Sequence, residues 1–258
     1  MPEGDTVYRA ARALDQALHG AVLTKSDFRV PALATVDLAG TTVDDVISRG
    51  KHLLHHLGDH TLHTHLKMEG SWHLYRHGTS WKRPAYQARV VLETADWVAV
   101  GFDLGIVDLV PRDADDSVVG YLGPDLLGPD WDAELALANL LADPERPVGL
   151  ALLDQRVLAG LGNEYRAEVC FLRGLLPTRP VGEVPAPEKL IDVSHRLIVA
   201  NKDRVERTTT GRLRGDTAFV YGRAGRPCLR CGARILRSEL GEDALSQRVT
   251  FWCPRCQT

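Results

Sequence analysis

Four groups of residues in this chain carry chemistry by their type and spacing. The first is the amino terminus, Met1-Pro2-Glu3-Gly4-Asp5. Proline is small enough for the initiator Met1 to be removed, which leaves Pro2 with a free secondary amine. An α-amino group titrates at about 8, so a usable share is neutral and nucleophilic at physiological pH. A secondary amine attacking a carbonyl-like carbon forms an iminium directly, a version of the covalent catalysis usually carried by lysine. Glu3 beside it is a carboxyl able to donate or accept the proton. Many chains begin this way with an idle, exposed terminus. The catalytic reading therefore needs other residues that converge on it.

The second group, Arg49-Gly50-Lys51-His52, sets a lysine after a glycine at the head of a strand, where a tight turn projects the amine. Alone it reads as an ordinary surface lysine. The third is Ala159-Gly160-Leu161-Gly162-Asn163, leading into a helix. Such a turn aims helix N-terminal amides at a phosphate, although the same turn also just connects packed helices. The fourth is Cys228-Leu229-Arg230-Cys231 with Cys253-Pro254-Arg255-Cys256, two CxxC pairs separated by 21 residues. Four thiolates at this spacing suit a structural, tetrahedral Zn2+ with no open position. Cys170 stands apart and reads as a buried helical residue. Eight histidines fall between His52 and His77. His63 and His65 share a strand face, but no cysteine or carboxylate cluster completes a zinc set. That stretch reads as anion contact or plain polar surface.

Elements must position these groups. Asp5 is placed to cap a helix through His19, with Val7, Ala10, Ala11, Leu14, Ala17 and Leu18 on one face and Gly20 as the stop. Short strands are expected at 42–47, 51–57, 61–66, 71–75, 88–93 and 98–102, punctuated by glycines. Alternation is clearest in Leu62-His63-Thr64-His65-Leu66. These strands suggest a sandwich or barrel-like β domain. After the turn-rich Gly123-Pro124-Asp125 to Asp130 the pattern becomes helical. Asp132 caps a helix over 133–141, Pro147 begins one through Gln155, another runs to Phe171, and a last one spans 187–202.

Composition narrows the classes. The 258 residues are 44% hydrophobic and 25% charged, ample for ordinary cores in two domains or one large one. No apolar run reaches the ~18 residues of a membrane span, and Pro2, Glu3 and Asp5 replace the basic start of a signal peptide. A cytoplasmic protein is expected. The net charge of −3 hides a polarity: from Glu93 to Glu145 thirteen acids face only Arg112, whereas from Arg204 onward eleven arginines face five acids, with no lysine. Arginine suits bidentate phosphate contacts, so the final segment points to an anionic partner.

Taken together, the chain resembles the Fpg/Nei family of DNA glycosylase/lyases, closest to the actinobacterial endonuclease VIII branch. The resemblance rests on Met1-Pro2-Glu3-Gly4, Arg49-Gly50-Lys51-His52-Leu53-Leu54, Leu153-Asp154-Gln155 through Gly160-Leu161-Gly162-Asn163-Glu164-Tyr165, and Val220-Tyr221-Gly222-Arg223 followed by the cysteine pairs. It implies an α+β fold: an N-terminal β-sandwich with a flanking helix over 1–122, a helix–two-turn–helix domain over 123–217 and a zinc β-hairpin over 218–258, with DNA between the lobes. It also implies roles. Pro2 is the nucleophile at the sugar C1′, and Glu3 protonates the ring oxygen. Lys51 contacts phosphate and assists β-elimination. Asn163 and the amides after it hold phosphate, and Arg248 contacts the phosphate flanking the lesion. Lys67 and Met68, in the loop His65-Leu66-Lys67-Met68-Glu69-Gly70, contact DNA, Met68 as the wedge that fills the gap left by a flipped base. Met68 has a competing reading as a core methionine on a strand.

The implied partner is double-stranded DNA with oxidised bases or abasic sites, bound by a monomer. Three departures accompany the resemblance. Thr6 stands where relatives often carry glutamate, Tyr121 replaces a DNA-contacting arginine, and the cysteine pairs lie about five residues further apart than usual. A short stretch from Thr208 to Val220, together with Gly4 after Glu3, favours oxidised pyrimidines over 8-oxoguanine. The alternatives are an enzyme preferring oxidised purines, a non-enzymatic damaged-DNA binder on the same scaffold, and a zinc-ribbon transcription or processing factor. The last would not need the matching amino terminus.

Overall fold

Helix α1 spans Gly4–Leu18 in a computed structural model that describes residues 2–258. Met1, on which the expected cleavage falls, lies outside the described residues. Val7, Ala11, Leu14 and Leu18 form the buried stripe of α1, as helical spacing requires. The cap differs from expectation. Glu3 is the N-cap residue, and its carbonyl already accepts from Thr6 (3.0 Å) and Val7 (3.1 Å). Asp5 therefore lies inside the first turn, where its Oδ1 takes the N–H of adjacent Thr6 (2.8 Å). Left-handed Gly20 (φ 72°) follows the helix end.

Eight strands follow: β1 Lys25–Phe28, β2 Val43–Arg49, β3 His52–Leu57, β4 His60–His65, β5 Ser71–Tyr75, β6 Ala88–Glu93, β7 Val98–Phe102 and β8 Ile106–Pro111. They form two four-stranded sheets, β1-β6-β7-β5 and β2-β3-β4-β8, paired antiparallel throughout. Val46, Leu53, Leu57 and Leu62 from one sheet join Phe28, Val90, Leu92 and Ala99 from the other in a single core. That is the expected sandwich. β1 and β8 lie outside the expected strands; β1 offers a single apolar residue, Phe28. The alternation in β4 misleads. His63 and Thr64 are both buried, because the outer sheet face is itself covered. A 3-10 turn at Arg112–Ala114 and a short helix, α2 (Asp116–Val119), lead to Tyr121 and cover it.

The chain divides into two compact units, the first ending at Tyr121 and the second running from Leu122 to Thr258. In the second, Asp132 caps α3 (Ala133–Leu141) as expected, accepting from Leu135 N–H at 2.9 Å. α4 is Val148–Ala151, shorter than the helix expected through Gln155. The Gln155 side chain ends it by turning inward, donating to the carbonyls of Leu153 (2.8 Å) and Leu161 (3.0 Å) and accepting from Gly160 N–H (3.0 Å). Residues 152–162 thus become two turns ahead of α5 (Asn163–Arg173), which ends at left-handed Gly174 (φ 70°). α6 spans Pro187–Asn201, and β9 (Leu236–Leu240) pairs antiparallel with β10 (Arg248–Trp252). Ala167 and Phe171 of α5 share a core with Val220, Ile235, Cys228 and Cys253. Among the described residues no helix is long and apolar enough to cross a membrane.

Candidate active site and nucleic-acid interface

In the first unit, two hydrogen bonds set α1 antiparallel to β2. Gly20 N–H reaches Val43 O (2.8 Å), and Val46 N–H reaches Asp15 Oδ1 (2.9 Å). Running back from Asp15 to Gly4 at about 1.5 Å per residue covers about 16 Å. Running forward from Val46 to Arg49 at the end of β2, at about 3.3 Å per residue, covers about 10 Å in the same direction, and Gly50-Lys51 extend beyond it. The start of α1 and the end of β2 therefore share one end of the sandwich. Pro2 is half-buried there and Glu3 fully buried.

The β2–β3 pairing sets Arg49 opposite His52, which leaves Gly50-Lys51 as a two-residue hairpin turn. Gly50 supplies the left-handed φ (58°) that the first position of such a turn needs. His52 also pairs with His65, so the loop leaving β4 lies at this same end. In that loop Lys67 holds a left-handed φ of 51°, rare for a side chain of its size. Two contacts hold it. Its N–H donates to His65 Nδ1 (2.9 Å), and its stem covers Gly105 so closely that a Cβ there would lie 2.2 Å from Lys67 Cγ. Gly70 N–H closes the loop on Leu66 O at 2.8 Å. Met68 is thereby presented at 61% exposure and is not a core methionine.

Four of the eight histidines are not on a polar surface, although His60 and His77 are exposed. His52, His55, His56 and His63 are buried. His52 Nδ1 lies 2.7 Å from His63 Nε2, and His52 Nε2 lies 3.0 Å from Tyr121 Oη. His63 Nδ1 lies 3.3 Å from Asp108 Oδ2. His56 is bonded by both ring nitrogens, to Asp45 and to Asp115. Burial first, then neighbouring histidine and lysine charge, lowers His52 to about 3; burial and Lys67 lead in lowering His65 to about 4. Both are neutral at pH 7, so Lys51 and Lys67 supply the positive charge beside them. Single-residue reading missed this network because its polar partners come from β2, from β8 and from the segment after it.

In the second unit, Gly162 begins α5 with no side-chain cap. Asn163 Nδ2 donates to Val249 O (2.9 Å), while its Oδ1 accepts from Arg166, whose Nη2 also donates to Val249 O (3.1 Å). These bonds brace the start of α5 against β10 and set Asn163 beside the segment carrying Arg248. Arg248 is exposed, its Nη1 on Gln247 O at 2.9 Å. Sequence reasoning missed Arg166 and Glu168, both fully buried. Glu168 accepts from the Thr209 hydroxyl and from the N–H groups of Phe219 (2.7 Å), Val220 (2.8 Å) and Tyr221 (2.8 Å). The available signal was two opposite charges within Tyr165–Phe171, a stretch of α5 whose other residues are apolar or aromatic.

Cys228, Cys231, Cys253 and Cys256 bring four sulfurs within 4.8 Å of one another. Cys228–Cys256 is 3.9 Å and Cys231–Cys253 is 3.4 Å, far beyond a disulfide bond. A tetrahedron of Zn–S bonds of about 2.3 Å has sulfur–sulfur edges of about 3.8 Å. The donor set fits the ion. Gln257 anchors the second knuckle, accepting from Cys253 N–H (2.8 Å) and donating to Leu175 O (2.7 Å) just past α5.

Residues 1–108 match the family model of the formamidopyrimidine-DNA glycosylase N-terminal domain. The chain is 56% identical over 261 residues to "Probable endonuclease 8 2" of Streptomyces coelicolor, covering 100% of this chain and 94% of that protein. It is 52% identical over 259 residues to "DNA-(apurinic or apyrimidinic site) lyase Nei2" of Mycolicibacterium smegmatis, covering 100% and 99%. Its fold matches a structure of MutM in complex with carbocyclic 8-oxo-G containing DNA, with a TM-score of 0.82 at 24% identity and full coverage of both chains.

Proposed function

The chain belongs to the Fpg/Nei family of DNA glycosylase/lyases, in its endonuclease VIII branch, and from that membership we propose that it is a bifunctional glycosylase and abasic-site lyase of base excision repair. One observation carries the reading onto this chain's own residues: α1, antiparallel to β2, sets Pro2 and Glu3 at the same end of the sandwich as Gly50-Lys51.

With Met1 removed, the Pro2 nitrogen attacks C1′ of a flipped nucleotide. A C1′–N bond to Pro2 forms, the glycosidic bond breaks, and the damaged base leaves. Glu3 protonates the ring oxygen, which opens the sugar and leaves an iminium. A C2′ proton is then lost and the 3′ phosphate departs; a second elimination releases the 5′ phosphate, leaving a one-nucleotide gap with phosphate at both ends. Lys51 holds a phosphate at this end, with Lys67 beside it, and Met68 enters the gap in the stack. Arg248 and the amides following Asn163 hold the flanking backbone. Cys228, Cys231, Cys253 and Cys256 would hold a structural Zn2+, which couples folding of the hairpin to metal binding. The protein acts as a monomer on double-stranded DNA.

The Thr208–Val220 stretch supports a preference for oxidised pyrimidines. Thr209 N–H bonds Thr217 O (2.8 Å), and the Thr210 hydroxyl bonds Asp216 O (2.9 Å). Only residues 211–215 project as an exposed tip, little material for a lid over a purine.

Borohydride trapping on lesion-containing DNA tests the enzymatic reading. A covalent adduct is expected, mapping to the terminal proline. Glu3→Gln should slow base removal more than cleavage of a preformed abasic site, whose C1′ is already reactive. An adduct on Lys51, or none, sinks this assignment.

A further inference from the structure

The chain Tyr121–His52–His63–Asp108, buried at its two histidines, has a direction, and chemistry alone determines it. Asp108 is a half-exposed carboxylate on β8 and can only accept. His63 Nδ1, 3.3 Å from it, therefore carries a hydrogen. A neutral imidazole has one N–H, so His63 Nε2 is a bare acceptor. It lies 2.7 Å from His52 Nδ1, which must then be the donor. That leaves His52 Nε2 bare, 3.0 Å from the Tyr121 oxygen, and the phenol hydrogen must point inward to it. His65 does not compete, since its Nδ1 is taken by Lys67 N–H. A single proton added at His63 leaves its bond to Asp108 as it was and reverses the other two: His63 Nε2–H to His52 Nδ1, His52 Nε2–H to the Tyr121 oxygen, and the phenol hydrogen turned outward.

We propose that Asp108 and His63 are positioning residues which, through His52, hold the Tyr121 hydroxyl hydrogen inward, so that this phenol meets bound DNA as a hydrogen-bond acceptor. It then suits a nucleobase amino or imino N–H and disfavours a phosphate oxygen, which is itself an acceptor. Tyr121 is 55% exposed, and its ring stands edge-on to His52, which directly follows Lys51. The groups facing His52 are Lys51, His65, His63 and Lys67; those facing His63 are Asp108, Asp115 and Lys67. Burial leads in keeping both histidines neutral, the state in which the phenol points inward.

The DNA half of this inference rests on the enzymatic reading above; the hydrogen-bond direction does not. Two-bond proton–nitrogen correlation spectra of full-length protein labelled with 15N-histidine, at pH 7.5, read the tautomers. His52 and His63 should both be Nδ1–H. Asp108→Asn keeps an acceptor oxygen and should preserve them, whereas Asp108→Leu should release both rings into mixed tautomers. On abasic-site duplex, Asp108→Leu should raise KM by up to about tenfold, the worth of one neutral hydrogen bond, with kcat nearly unchanged. Asp108→Asn should restore it, and Asp108→Leu should add nothing in a Tyr121→Phe background. Nε2–H tautomers in the wild type, or an Asp108→Leu effect as large in the Tyr121→Phe background, overturn the proposal. Wild-type protein with the expected tautomers and no action on abasic DNA upholds the relay and removes its enzymatic setting.

Discussion

His55 shows what burial does to one residue. It lies on the inner face of β3 beside Trp72, ring centroids 4.7 Å apart, and among the described residues neither ring nitrogen finds a partner. Burial, with nearby His56, lowers it to about 3 from 6.5, so the folded protein holds it neutral. Above pH 6.5 both folded and unfolded chains carry it neutral, and it adds no pH dependence. Between 6.5 and about 3 the unfolded chain takes up the proton and the folded one does not, so stability falls with pH. His55→Leu should be neutral or stabilising at pH 7, since it removes an unsatisfied polar group. It should also flatten the acid loss of stability by up to about 1.4 kcal/mol per pH unit, the value for one proton. Urea midpoints of both proteins at pH 7.5 and 5.0 check this; parallel pH dependences would exclude it.

At the scale of elements, two short segments depend on α5. The cysteine hairpin shares its core and is anchored through Gln257 to Leu175. Metal analysis of purified protein should find about one zinc per chain, as the four-sulfur set implies. Cys253→Ser should weaken DNA binding while leaving the sandwich folded. Normal binding by that variant would show that the hairpin needs no metal to present Arg248. The second segment is the Thr208–Val220 loop, whose far end Glu168 pins through three backbone N–H groups. Asn201 clamps its near end, donating to Thr208 O (3.0 Å) and accepting from Thr208 N–H (2.8 Å). A loop held at both ends has little reach. Strong selectivity needs buried hydrogen bonds that discriminate, so single-turnover excision should favour thymine glycol over 8-oxoguanine opposite cytosine. The reverse order would mean that the five-residue tip reads purines after all.

For the molecule as a whole, charge is divided along the chain: acids crowd residues 93–145 and arginines the residues from 204 onward, at a net charge of only −3. Binding carried by local arginine should be strongly salt-dependent despite that net charge. Arg248→Ala should reduce the slope of log K against log salt by about 0.9, one phosphate contact. An unchanged slope in a binding titration would remove Arg248 from the backbone contacts. Much of this molecule was legible before folding. The amino terminus, Gly50-Lys51, the glycine turn and the cysteine pairs each express a local requirement, such as a left-handed turn residue, a helix start or a ligand spacing, so type and order suffice to read them. The residues of β5, β6 and β7 were equally readable as short runs rich in strand-forming residues, and the stripe of α1 from its helical period. What the sequence left open depends on partners distant in the chain. Whether Leu62-His63-Thr64 has a wet face is decided by the segment 112–121 closing over it. Which nitrogen of His52 carries its hydrogen is decided by Asp108, 56 residues away and visible only once β4 pairs with β8. Local rules act through neighbouring backbone; burial and proton position are set by whatever the tertiary fold brings against a side chain.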